Sequence, residues 1–152
     1  MVKNGEMKTT LLGQHRVKAS KKGRVAFPKK FRDVLGQKVI VTRGYEGCLI
    51  VVSEEKWQTL TEGTGQKPFV FGPARDTSRF LLGNAALVEL DDQGRFVIPE
   101  HLREYSQIKE KVIFLGLNRY IEIWSEDKWE DYQRYLNKNI DQISERLKID
   151  EE

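Results

Sequence analysis

The sequence predicts an α+β protein made of two pseudo-symmetric copies of one unit around a shared core, followed by a longer C-terminal helix. The first observation behind this is an internal repeat. Ser20-Lys-Lys-Gly-Arg-Val-Ala-Phe-Pro-Lys-Lys-Phe-Arg32 returns 71 residues later as Asp91-Asp-Gln-Gly-Arg-Phe-Val-Ile-Pro-Glu-His-Leu-Arg103. Gly23, Arg24, Pro28 and Arg32 recur as Gly94, Arg95, Pro99 and Arg103, and Phe31 is matched by Leu102. A second echo, Ser53-Glu-Glu-Lys-Trp57 and Ser125-Glu-Asp-Lys-Trp129, lies 72 residues apart, so the register hardly slips across the unit. The third observation is that short strand, turn and helix patterns follow in the same order in both copies.

In the first copy, His15–Ala19 alternates loosely in strand fashion, Lys21-Lys22-Gly23 is a turn, and Arg24–Phe27 is a second short strand. Read locally, these two strands form a β-hairpin. Pro28 opens a helix over Lys29–Leu35, where its missing N–H does no harm, and Gly36 ends it. Val39–Thr42 and Leu49–Val52 are apolar strands around the turn Gly44–Gly47, and Ser53 caps a helix containing Trp57 and Leu60. The second copy repeats this: strand Asn84–Leu90, turn Asp91–Gly94, strand Arg95–Ile98, helix Pro99–Tyr105, strands Lys111–Leu115 and Tyr120–Trp124. Residues 1–10 are polar and aperiodic, a flexible arm. Units are expected over 11–60 and 81–149, with 61–80 as a Gly- and Pro-containing connection that carries some helix near Asp76–Phe80. Trp129, Tyr132, Leu136, Ile140, Ile143 and Leu147 make one helical stripe of about five turns. That stripe packs on its own core or on another subunit.

Composition narrows the function. The chain has 39% hydrophobic and 32% charged residues, and no apolar run approaches the ~20 residues of a membrane span. The amino terminus lacks the apolar stretch of a secretory signal, so a cytoplasmic location is expected. The lone Cys48 lies in the apolar run Cys48–Val52 and reads as a small core residue. His15 and His101 have no ligand partners at metal-binding spacing, and no phosphate-binding glycine loop is present. Asp91 and Asp92 are adjacent carboxylates, but on a turn their role is local backbone hydrogen bonding rather than acid–base chemistry. Ser20 has no base supplied to it in sequence. No enzyme, cofactor, metal or small-molecule substrate is expected.

Charge is distributed unevenly. Residues 1–32 hold ten Lys or Arg and one acid, Glu6, a local net of +9; the remainder carries −6, and the whole chain +3. Such asymmetry points to a polyanionic partner rather than to a solvated tail, because the cations are interleaved with strand residues and a turn. Arg16, Lys18, Lys21, Lys22 and Arg24 are the candidate DNA-binding residues. A two-stranded β element suits the major groove, Lys offers a point charge to phosphate, and Arg can also grip guanine O6 and N7. The second turn has Asp91, Asp92 and Gln93 in place of Ser20, Lys21 and Lys22, which repels phosphate. It is assigned to structure or subunit contact, with Asp91 and Arg95 as a stabilising pair.

The doubled Asp-x-x-Gly-Arg pattern, each copy followed by an apolar strand, Pro and a short helix ending in Arg, resembles the MraZ family over about Leu11–Leu147. The first motif departs from that pattern in having Ser20 where the family has Asp; its hydroxyl can still support the turn, and Arg24 is left freer. The resemblance implies two AbrB/SpoVT-like swapped-hairpin β-barrel units and a ring-shaped homo-oligomer. It also implies a nucleoid-associated regulator, usually a repressor, binding direct repeats of double-stranded DNA in the promoter of its own division and cell-wall gene cluster. Arg24 and Lys22 match the family's DNA-contacting positions. Two other readings compete. An RNA-binding module would present aromatic side chains for stacking, for which the basic stretch offers only Phe27 and Phe31. A ring-forming interaction protein would meet an acidic partner with the same basic face.

Overall fold

The computed structural model describes residues 10–61 and 72–151. All but Thr10 of the expected N-terminal arm, and residues 62–71 of the connection, lie outside the described residues. In chain order the elements are β1 (Leu11–Lys18), β2 (Arg24–Ala26), α1 (Lys29–Leu35), β3 (Lys38–Arg43), β4 (Leu49–Ser53), α2 (Glu54–Thr61), α3 (Gly72–Leu81), β5 (Ala86–Glu89), β6 (Arg95–Val97), α4 (Glu100–Ser106), β7 (Lys111–Asn118), β8 (Ile121–Ser125) and α5 (Glu126–Glu151). Short helices start after Pro28 and Pro99, as the ring geometry of proline favours, and α1 stops at Gly36 with φ +81°. Ser53 and Ser125 accept the backbone N–H of Lys56 and Lys128, both at 3.2 Å, and so cap α2 and α5.

The strands form a six-stranded antiparallel sheet, β1-β7-β8-β4-β3-β5, and a two-stranded ribbon, β2-β6. This order corrects the local hairpin reading. β1 does not pair with β2; its whole length, Leu11 to Lys18, pairs with β7 of the second unit. Reciprocally, β5 pairs with β3 of the first unit, and β2 pairs with β6 across the two units. Only the turn residues of each expected hairpin remain bonded to each other. The units therefore exchange their first strands, and a pseudo-twofold relation runs between β4 and β8 at the sheet centre.

One core lies between sheet, ribbon and the two short helices. It joins Val25, Phe27, Phe96 and Ile98 of the ribbon strands and their ends to Phe31, Leu35 and Leu102 of the helices. The same cluster takes Val39, Val41, Leu49, Val51, Val112, Phe114, Ile121 and Ile123 from the sheet. Phe27 stacks on Phe96 at 5.2 Å and meets Phe114 edge-on at 5.0 Å. A second cluster on the opposite sheet face joins Cys48, Ile113 and Trp124 to Trp129, with Tyr132 and Leu136 against it.

The first turns of the α5 stripe thus pack on the protein's own sheet. Farther along, Ile140 and Leu147 are 48% and 62% exposed, so the stripe outlasts the surface it covers. In the connection, α3 is longer than the sequence suggests, and Thr42 Oγ1 donates to Leu81 C=O at 2.5 Å to tie it to β3. Among the described residues no helix is long and apolar enough to cross a membrane.

Phe31 is fully buried, whereas Val34 on the same helix is 41% exposed. Phe31→Ala is expected to destabilise by about 3–5 kcal/mol through lost burial and a cavity, and Val34→Ala by at most about 0.5 kcal/mol. Urea unfolding of the two variants measures the difference.

Candidate nucleic-acid interface

Each unit presents a tight turn at the end of its first strand, and the two are built alike. Ser20 N–H donates to Arg24 C=O at 2.9 Å and Gly23 N–H to Ser20 C=O at 3.0 Å; the Asp91/Arg95 and Gly94/Asp91 bonds are 3.0 and 2.9 Å. Ala19 N–H donates to Glu110 C=O and Leu90 N–H to Gln37 C=O, both at 2.7 Å, which seats each turn on the other unit. The glycines complete the exchange: Gly23 C=O accepts from Ile98 N–H, and Gly94 C=O from Phe27 N–H, both at 2.9 Å.

Both glycines have positive φ, +86° at Gly23 and +76° at Gly94, and both are buried against an arginine of the opposite unit. A Cβ on Gly23 would stand 2.5 Å from Arg103 Nη1, and a Cβ on Gly94 would strike the Cδ of Arg32. Glycine is therefore required twice over, by backbone conformation and by close approach. Arg103 Nη1 also donates to Lys21 C=O at 3.3 Å. Arg32 and Arg103 are visible in sequence as an identical pair, but their placement is not, because each one braces the turn of the other unit.

Side-chain chemistry separates the turns. At the second, Asp91 Oδ1 accepts from Gln93 N–H at 2.9 Å and Arg95 N–H at 2.8 Å, while Oδ2 takes Arg95 Nε at 2.8 Å. The Arg95 backbone N–H, followed by the other donors, lowers the Asp91 pKa from its usual 3.8 to about 2. At the first turn Ser20 Oγ accepts only Arg24 N–H, at 3.0 Å, and the Arg24 side chain has no carboxylate partner among the described residues. Lys18, Lys21 and Lys22 are likewise exposed and without an ion pair there.

Arg16 stands apart from this group. Its Nη1 lies 2.6 Å from Glu126 Oε2 and 3.9 Å from Glu130 Oε2 on α5. The structure thus gathers Lys18, Lys21, Lys22 and Arg24 at one turn and ties Arg16 to the start of the long helix.

Cys48 is fully buried, burial pushes its thiol pKa far up, and it stays protonated. Among the described residues no three metal-ligating side chains gather.

Asp91 yields a pH prediction. Its folded-state pKa is depressed, so its contribution to stability is present above the usual carboxylate pKa and is lost as pH falls through about 2. Asp91→Asn should be less stable than the wild-type chain at pH 7, and the two should converge below about pH 2. Thermal melts across that range follow the convergence.

The repeat seen in the fold coincides with a family match. A family model described as "MraZ protein, putative antitoxin-like" matches residues 10–80 and again 81–150. A curated protein named Transcriptional regulator MraZ from Caldanaerobacter subterraneus subsp. tengcongensis is 40% identical over 137 residues, covering 90% of this chain and 96% of that relative. Proteins of the same name from Thermoanaerobacter sp. and Pelotomaculum thermopropionicum are 39% and 34% identical. Each match covers 90% of this chain and 96% and 94% of the respective relative. With both halves matched and the relatives aligned over nearly their full length, this chain belongs to the MraZ family.

Proposed function

We propose that the chain is a DNA-binding transcription regulator that reads duplex DNA with the turn between β1 and β2. The observation that carries this is the exposed set Lys18, Lys21, Lys22 and Arg24, left without carboxylate partners among the described residues on a turn whose twin is neutralised by Asp91. A β-turn of this size enters the major groove, where Lys22 neutralises phosphate and Arg24 is free to bond guanine O6 and N7. The name Transcriptional regulator MraZ, carried by relatives aligned over nearly their whole length, supports the regulatory role.

The finer reading is a repressor acting in the cytoplasm on the nucleoid, assembled as a ring of copies and binding direct repeats in the promoter of its own division and cell-wall gene cluster. One turn neutralises few phosphates and binds weakly alone; several turns around a ring, each reading about three to five base pairs, gain affinity through effective concentration. The RNA reading lacks its platform, since Phe27 and Phe31 are 2% and 0% exposed and belong to the core.

The test is binding of the purified chain to duplex DNA from upstream of its own gene and to scrambled duplex, across a salt series. Arg24→Ala should remove about 1–3 kcal/mol of discrimination per turn engaged while oligomeric size is unchanged. Lys22→Ala should weaken both duplexes alike and reduce the salt slope by about 0.9 per turn. Equal affinity of the wild-type chain for the two duplexes would overturn the assignment.

A further inference from the structure

We infer that the DNA-binding surface is composite: the second unit supplies Lys111 as a phosphate contact and Arg103 as the residue that positions the reading turn. This rests on the reading of the first turn as the DNA-binding element, and extends it to residues some 80 positions away in sequence.

The pseudo-symmetry provides an internal comparison. Lys18 stands directly opposite Lys111 in the β1–β7 register. The equivalent pair at the other end of the sheet, in the β5–β3 register, is Glu89 opposite Lys38. Like charges directly opposite on antiparallel strands disfavour pairing, and opposite charges favour it. One end of the sheet therefore carries the pair that suits folding, and the other carries a pair that folding alone does not favour. Both Lys18 and Lys111 are exposed and have no ion pair among the described residues.

The arginines extend the contrast. Around the first turn stand Lys18, Lys21, Lys22 and Arg24 from one unit and Arg103 and Lys111 from the other, and the recess that holds Arg103 and Lys111 is also lined by Glu104, Glu110, Glu126 and Asp127. Around the second, Glu89, Asp91 and Asp92 balance Arg95, Arg32 and Lys38. On the loop beneath the first turn Lys109 and Glu110 cancel. The same backbone thus holds a neutral turn at one end and, at the other, a turn with no acid of its own beside the Lys18–Lys111 pair. Two cations at this end come from the unit whose own turn cannot approach phosphate. A polyanion across Lys18 and Lys111 offsets their mutual repulsion and so completes this end of the sheet.

Arg103 acts differently. Its side chain fills the space that a Gly23 side chain would occupy, and Nη1 bonds the Lys21 carbonyl, so it sets the angle at which Lys22 and Arg24 leave the sheet.

The experiment is the same duplex assay on Lys111→Ala, Lys111→Glu, Lys38→Ala, Arg103→Ala and Arg103→Lys, with thermal melts and oligomeric size for each. Lys111→Ala should weaken upstream and scrambled duplex alike and lower the salt slope by about 0.9 for each turn engaged. Lys111→Glu, which recreates the Glu89–Lys38 pairing in mirror form, should lower affinity for both duplexes further than Lys111→Ala does. Lys38→Ala, at the neutral end, should leave binding as it is. Arg103→Ala should reduce the preference for upstream DNA with little change in slope, and Arg103→Lys should restore most of that preference.

An unchanged slope in Lys111→Ala, or equal losses in Lys38→Ala, overturns the role of Lys111. An unchanged preference in Arg103→Ala overturns that of Arg103. Arg24→Ala keeps the premises apart. If it binds like the wild-type chain, the turn is not the reader; if it loses the preference while Lys111→Ala keeps its full slope, the reader stands and the contribution of Lys111 falls.

Discussion

Among the described residues the backbone of β1 finds its strand partners only in the second unit, and most of the architecture follows from that. β1 is the edge strand of the sheet, and lying along Lys111–Asn118 satisfies the backbone groups on its inner side, each worth about a hydrogen bond, while Leu11 enters the core. The reciprocal pairing of β5 with β3, and of β2 with β6, makes the exchange complete. Each turn is then trapped between its own strand end and the other unit's helix. The bonds from Ile98 to Gly23 and from Phe27 to Gly94 fix that arrangement from both sides. Neither unit owns its turn.

On this symmetric frame the two turns differ most in charge. Asp91 satisfies two backbone donors and the Arg95 guanidinium, closing its turn on itself. The Ser20 side chain keeps one backbone bond, to Arg24 N–H, and leaves the Arg24 guanidinium without a carboxylate partner among the described residues. The exchange of a carboxylate for a hydroxyl costs little geometry, since the turn bonds differ by only about 0.1 Å between the copies. It changes what the surface can meet. A closed ion pair at one end and an open cluster at the other divide support and recognition between duplicate parts.

The long helix adds a third element that the repeat does not predict. Trp129, Tyr132 and Leu136 bury against Trp124 and Ile113, and Glu126 and Glu130 draw Arg16 toward the helix start. Arg16 is 60% exposed, so the pair contributes at most about 1 kcal/mol. Its effect is directional: one cation of the basic stretch is held beside the helix while the others remain at the turn.

Much of this was legible in the sequence. Proline at the start of each short helix, glycine at each turn, serine before α2 and α5, and the offset repeat all act through local sterics or hydrogen bonds, so their consequences can be read where they stand. The basic turn and the Asp91–Arg95 pair were legible for the same reason, being local in the chain. Strand pairing was not legible in the local pattern, and only the family resemblance implied swapped hairpins. Two short strands flanking a turn satisfy the local rules for a hairpin equally well whether they pair with each other or with a neighbour, and only closure of the shared core selects the exchange. The roles of Arg32, Arg103 and Lys111 were hidden with it, because what each side chain touches depends on a partner some 60 to 90 residues away. The sequence by itself determined the repeat, the elements and the charge of each turn. The tertiary structure alone decided which unit each strand and each arginine serves.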